Sequence, residues 1–133
     1  MARVVLTSSC SSFDTFNYTV ATDLATLNSE VVTIQNGRSL YGQSKLAQIM
    51  WAKKLTRNLG PRSNVFVNSV HPGGVATPIF SKGPIPWFVQ KVIDWLQPTL
   101  WSADIAAISL LYLGVASDEL EKENIRGKFY HPI

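Results

Sequence analysis

Residues 39–61 read SLYGQSKLAQIMWAKKLTRNLGP, and the way this stretch starts and stops decides the fold. Ser39 suits a helix N-cap, because its short hydroxyl can accept from the unpaired N–H groups of a first turn. Gly60 and Pro61 supply the stop, glycine tolerating the left-handed turn just past a helix and proline forbidding continuation. Between them Leu46, Ile49, Met50 and Lys53 share one face, and Trp51 and Leu55 widen it. The spacing therefore predicts a helix from about Leu40 to Leu59.

On either side lie short β-branched runs. Arg3-Val4-Val5-Leu6-Thr7 is continuous, as in a strand buried on both faces of a parallel sheet, and ends in the small polar loop Ser8 to Ser12. A second strand, Asn64 to Val70, ends at His71-Pro72-Gly73-Gly74. A short aromatic helix is expected from Phe88 to Leu96. Ser102 caps another, with Asp104 in its first turn, that ends near Ser117; an acidic loop follows from Asp118 to Glu123. Gly127 to Tyr130 is the last strand. From Ser11 to Leu40 no periodicity is sustained, which points to a functional segment or to short elements. Strand, helix, strand, helix, strand is the order of an α/β parallel sheet, whose ligands bind beyond the carboxyl ends of the strands. The loops at Ser8-Ser9 and Pro72-Gly73 both follow strands and so belong at that edge.

The bulk composition fits one domain over 1–133. Of the 133 residues 46% are hydrophobic and 16% charged, which excludes a disordered tail. The net charge is +3, and the densest basic patch, Lys53, Lys54, Arg57 and Arg62, is interleaved with Leu55 and Leu59. That is a solvated helix face rather than a nucleic-acid stripe. One cysteine, Cys10, allows no internal disulfide and points to a reducing, intracellular and cytoplasmic setting. The first residues turn polar too early for a signal-peptide core, and Ile105 to Ala116 falls short of the ~20 residues a bilayer span needs. No metal site is assigned.

Tyr41 and Lys45 carry the chemistry. Four residues apart on a helix, their Cβ atoms stand about 5–6 Å apart on one face. A tyrosine is a poor acid or base at neutral pH, and a cation at that range favours its phenolate. Such a pair can pass a proton to or from a substrate oxygen while hydride moves at carbon, with Ser9 donating a hydrogen bond to the same oxygen. With four tyrosines and seven lysines in the chain, chance alone supplies the spacing about 0.2 times, so the pair by itself is weak.

The ordered set of motifs is stronger. Arg3 to Ser9, then Tyr41-Gly42-Gln43-Ser44-Lys45-Leu46-Ala47, then Val70-His71-Pro72-Gly73-Gly74-Val75-Ala76-Thr77, then Gly127-Lys128-Phe129-Tyr130 resemble the short-chain dehydrogenase/reductase family from its fifth strand onward. Within it the wording around Tyr41 is most similar to the retinol-dehydrogenase-like and WW-domain-oxidoreductase-like branch. The resemblance implies the C-terminal part of a Rossmann-like doubly wound parallel sheet, with NADP or NAD as cofactor and a small-molecule alcohol or carbonyl compound as substrate. It makes Ser9 the catalytic serine, with Ser8 as the alternative, Tyr41 the acid/base, and Lys45 the residue that tunes Tyr41 and holds the nicotinamide ribose. Pro72, Gly73, Val75 and Thr77 would line the nicotinamide side. It also implies a homodimer interface on the Tyr41 helix. Leu6 stands where the family commonly has Asn.

No Gly-x-x-x-Gly-x-Gly or Gly-x-Gly-x-x-Gly occurs in the chain, so the phosphate-binding loop of the family's N-terminal half is not among these residues. A fragment is therefore expected, with its first strand left as an open apolar edge. Pro86, Trp87, Phe88, Trp95 and Trp101 fall where the family carries its substrate lid, which suits a lipophilic substrate or contact with a membrane surface; core packing of a short helix is the plainer reading. Two alternatives to an enzyme stay open: an inactive remnant acting as an interaction module, and an unrelated α/β binding module with Tyr41 and Lys45 on its surface.

Overall fold

The computed structural model describes residues 1–13, 21–27, 37–76, 86–115 and 118–132. Its elements run β1 (Ala2–Thr7), a 3₁₀ turn (Cys10–Phe13), α1 (Leu24–Leu27), α2 (Gly37–Leu59), β2 (Val65–Val70), α3 (Trp87–Leu96), a 3₁₀ turn (Gln97–Thr99), α4 (Ala103–Val115), α5 (Asp118–Lys122) and β3 (Phe129–Tyr130). The strands form one parallel sheet in the order β1-β2-β3, with Ala2 opposite Val65 and Thr7 opposite Val70. The expected α/β architecture is present.

Helix α2 begins at Gly37, so Ser39 lies inside its first turn and is not the N-cap. Helical hydrogen bonding reaches a turn further back than the apolar pattern, and helix ends are where pattern reading is weakest. Its far end is as expected: Gly60 has φ +75 and its N–H donates to the Thr56 carbonyl at 3.1 Å. Ser102 caps α4, its hydroxyl accepting from Ile105 N–H at 3.3 Å. The acidic stretch after α4 is a short helix, α5, rather than a loop. The long unpatterned region holds α1, opened by Asp23, which accepts from Thr26 N–H at 2.7 Å and holds its carboxyl pKa below the ordinary value through that bond.

Helices cover both faces of the sheet. Val5 and Val70 pack with Leu113 of α4 and Leu120 of α5. Because side chains alternate along a strand, Val4, Leu6, Val67 and Ser69 point to the other face, where α2 packs on β1 and β2. Val67 and Ala52 are wholly buried there. β2, between two neighbours, is buried from Phe66 to Val70, whereas Val4, Val5 and Leu6 of β1 are only half-buried. Among the described residues β1 pairs with β2 alone, so it lies at the open apolar edge that was expected for it.

β3 has only a two-residue ladder, Ser69 to Phe129 and Val70 to Tyr130. A side chain extends it. The buried Asn68 amide donates to the Ile125 carbonyl at 3.2 Å and accepts from Lys128 N–H at 3.0 Å, and Gly127 N–H donates to the Val67 carbonyl at 2.7 Å. Arg126 lies over the Phe66 ring, 4.1 Å from its centroid, and donates to the Ser63 carbonyl. At the other edge Arg3 pairs with Glu121 at 3.3 Å and donates to the Leu113 carbonyl, joining β1 to α4 and α5.

Two measurements check this arrangement. Ala2 and Ser8 N–H groups donate toward β2, so alternation turns those of Arg3, Val5 and Thr7 outward. Hydrogen exchange should be slow at Val4, Leu6 and Ser8 and fast at Val5; uniform protection from Val4 to Thr7 would contradict an open edge. Leu113→Ala should cost about 2–5 kcal/mol in urea unfolding, and the same truncation of exposed Leu111 within about 0.5 kcal/mol.

Candidate functional site

The carboxyl ends of β1 and β2 converge because Ser8 N–H donates to the Val70 carbonyl at 2.8 Å, joining the two loops where they leave the sheet. α2 is bound to the same point by a reciprocal pair. Ser8 Oγ donates to the Lys45 carbonyl at 2.7 Å, and Lys45 Nζ donates to the Thr7 carbonyl at 3.0 Å. Thr7 C=O points away from β2, so the ammonium closes the last outward-facing acceptor of the open edge.

The two adjacent serines thus have different jobs. Both are buried, and Ser8 spends its hydroxyl proton on α2. Ser9 Oγ accepts from Ser11 N–H at 3.2 Å while its carbonyl accepts from Ser12 N–H at 3.1 Å, folding the chain into the 3₁₀ turn. An oxygen that accepts still has its own proton to give.

Tyr41 and Lys45 share a face of α2 as their spacing requires, with Nζ 5.5 Å from the centroid of the phenol ring. Tyr41 is 48% exposed, open to a ligand at the sheet edge. One Lys45 proton is held by Thr7, leaving two donors. The arrangement offers a phenol, an adjacent fixed cation and a serine hydroxyl at the strand ends.

The Pro72-Gly73 loop follows β2. His71 N–H donates to the Tyr130 carbonyl at 2.9 Å, and Gly73 takes φ +90, a conformation that glycine adopts without strain. A Cβ there would lie 3.0 Å from the Trp101 ring. Trp101 N–H donates to the Gly74 carbonyl and Ala76 N–H to the Trp101 carbonyl, both at 2.9 Å, so Val75 lies opposite Trp101 in an isolated bridge. Pro72, Gly73 and Val75 are therefore at the expected edge; Thr77 lies outside the described residues. Trp87 and Trp95 of α3 are 72% and 77% exposed, and nothing in that helix is buried, so core packing does not account for its aromatics.

A further group at this edge was not singled out from sequence. The His71 and His131 rings lie 6.1 Å apart, and His131 also meets Phe13 at 6.0 Å and Phe129 at 4.8 Å. The available signal was a repeated His-Pro pair, 71–72 and 131–132, after the second and third strands. Burial, then repulsion from His131, lowers the His71 pKa from the ordinary imidazole value of 6.5.

No family model matches the chain. It is 33% identical over 108 residues to human retinol dehydrogenase 13, and 30% identical over 95 residues to the chloroplastic short-chain dehydrogenase TIC 32 A of Brassica napus. These matches cover 71% and 70% of this chain, which spans only 28% of each relative. Among solved structures, a short-chain dehydrogenase from Burkholderia cenocepacia J2315 in complex with NADP superposes with a TM-score of 0.54 at 27% identity, over 97% of this chain and 43% of that one. Another, from Mycobacterium paratuberculosis and bound to NAD, shares the fold with a TM-score of 0.58 at 21% identity, over 97% and 42%.

Two predictions follow the geometry of the second loop. Gly73→Ala, strained at φ +90 and crowded by Trp101, should lower stability by about 1–3 kcal/mol in urea unfolding. His71 binds its proton less readily folded than unfolded, so stability should fall as pH drops below about 6.5 and level off only below the depressed folded value. Thermal melts across pH 7.5 to 5 should show that loss, reduced in His71→Asn; an unchanged slope in the variant would exclude His71 as its source.

Proposed function

From the premise that the chain belongs to the short-chain dehydrogenase/reductase family and carries its C-terminal part, we propose that it supplies the acid/base half of an NAD(P)-dependent oxidoreductase interconverting an alcohol and a carbonyl compound. The observation that carries this reading is Lys45, held by Thr7 at 3.0 Å and standing 5.5 Å from an exposed tyrosine ring one turn away.

The residues present fit the nicotinamide end of such a cofactor. Lys45 keeps two free donors for ribose hydroxyls, and the Pro72-Gly73 loop is fixed at the same edge by Trp101 and Tyr130. When bound, the dinucleotide gives or accepts hydride at the substrate carbon. Tyr41 Oη gives or takes the proton at the substrate oxygen, and the Lys45 ammonium stabilises the phenolate left behind. Ser9 Oγ donates to the same oxygen and fixes its position. Helix α3 supports a lipophilic substrate: Trp87, Phe88, Val92 and Trp95 present an apolar surface beyond the Pro-Gly loop. The same surface suits rest against a membrane interface, where tryptophan is favoured.

NADH and NADPH titrations of the chain, followed by nicotinamide fluorescence, test the cofactor assignment directly. In a folded sample, saturable binding is expected, and no binding to either would favour an inactive remnant. In a turnover assay Tyr41→Phe should lower kcat by about 10²–10⁴, and Ser9→Ala by about 10²–10³. Ser8→Ala should act chiefly on stability, by about 1 kcal/mol. A Tyr41→Phe enzyme as active as the parent would end the proton-transfer role.

A further inference from the structure

Behind Trp101 lies a cavity of about 310 Å³ that the redox reading does not use. One wall is α4, through Ile105, Ile108, Ser109 and Tyr112; the other is the chain leaving β3, Tyr130 and His131. The lining is mostly hydrocarbon and aromatic ring, with a few polar groups. The Tyr112 hydroxyl is committed to Glu119 at 2.8 Å, so this residue contributes its ring. Ser109, Tyr130 and His131 remain to meet a ligand's polar end.

The charges around the cavity select that end. Burial first, then Glu119 and Glu123, raises the Tyr130 pKa above the ordinary phenol value, and its hydroxyl can donate. The Glu119 carboxylate, bonded to Tyr112 in the cavity wall, opposes a second anion there. A neutral hydroxyl on a compact apolar body fits this surrounding, and a carboxylate on the same body does not. The volume suits a fused two-ring aromatic. Small-molecule sites commonly have this make-up, apolar walls with a few placed polar groups.

Trp101 connects the cavity to the loop. Trp101 lines the cavity, its ring lies where a Cβ on Gly73 would be only 3.0 Å away, and its backbone is bonded to Gly74 and Ala76. Trp101 is thus common to the cavity wall and to the Gly73 turn.

We propose that this cavity is a binding site for a neutral aromatic alcohol, and that its occupancy repositions the Pro72-Gly73 loop through Trp101.

The test is a titration of the whole chain with 2-naphthol, followed residue by residue by amide and indole NMR. Saturable shifts are expected at the Trp101 indole, Ser109 and Tyr130, together with Gly73. 2-Naphthoate, the same ring with a charged head, should bind at least tenfold more weakly. Ile108→Trp, placed on the exposed mouth, should abolish the naphthol shifts while leaving the rest of the spectrum in place. Comparing the two naphthalenes needs no variant and stands if the substitution unfolds the chain. Shifts that do not saturate, equal binding of the two probes, or an unaltered response in folded Ile108→Trp would each overturn the site. Saturation at the cavity with Gly73 unmoved would overturn the coupling. Neither cofactor nor turnover enters the measurement, so its outcome is independent of the redox reading.

Discussion

The exchange between Lys45 and the end of β1 organises this molecule. Lys45 gives a side-chain proton to the Thr7 carbonyl and receives the Ser8 hydroxyl at its own carbonyl, so strand and helix hold each other through both backbone and side chain. Everything at the sheet edge is referenced to that clasp: Tyr41 one turn back along the helix, Ser9 one residue on along the loop, and the Val70 end of β2 through Ser8 N–H. A charged ammonium bonding a backbone carbonyl is stronger than a neutral pair, and it fixes the direction of a long, otherwise flexible side chain. A lysine fixed this way has already lost the freedom that binding a ligand would otherwise remove.

The sheet that carries the clasp is unequal across its width. β2 is fully enclosed, and the cluster of Val70, Leu113 and Leu120 gathers around it. β1 has one paired side, and the links that compensate are polar: Arg3 to Glu121 and to Leu113 on one face, Lys45 on its outward carbonyl. The Glu121 end of the Arg3 pair is open to solvent, which limits what the pair contributes, so this edge rests mainly on its ladder with β2. Such an edge readily accepts another strand.

Local patterns carried well from sequence to structure. The stop at Gly60, the cap at Ser102 and the β-branched strands each rest on a preference of a residue or its near neighbours, and each is present. What stayed illegible depends on separation or brevity. α5 reads as an acidic loop because one turn of Asp-Glu-Leu-Glu-Lys carries no apolar period; only buried Leu120 makes it a packed element. Ser39 misled because a good capping residue can equally sit one turn inside. At the site, Tyr41 and Lys45 were legible from their spacing, since a helix fixes their geometry. The division of labour between Ser8 and Ser9 was not, because it depends on a helix 37 residues away. The meeting of His71 with His131 depends on β3 lying beside β2, a pairing that the repeated His-Pro dipeptide does not by itself encode.

Asn68 has a consequence of its own. The last strand barely pairs with the sheet by backbone, yet its phase is set, because one carboxamide reads a carbonyl at 125 and an N–H at 128 together. Moving the incoming chain by a single position would break both of these bonds and the Gly127 bond to Val67 with them. The C-terminal tail is thus indexed by a side chain in the middle of the sheet, the way a key's notch fixes its depth, and the imidazole at 131 comes to rest beside 71 as a result of that indexing.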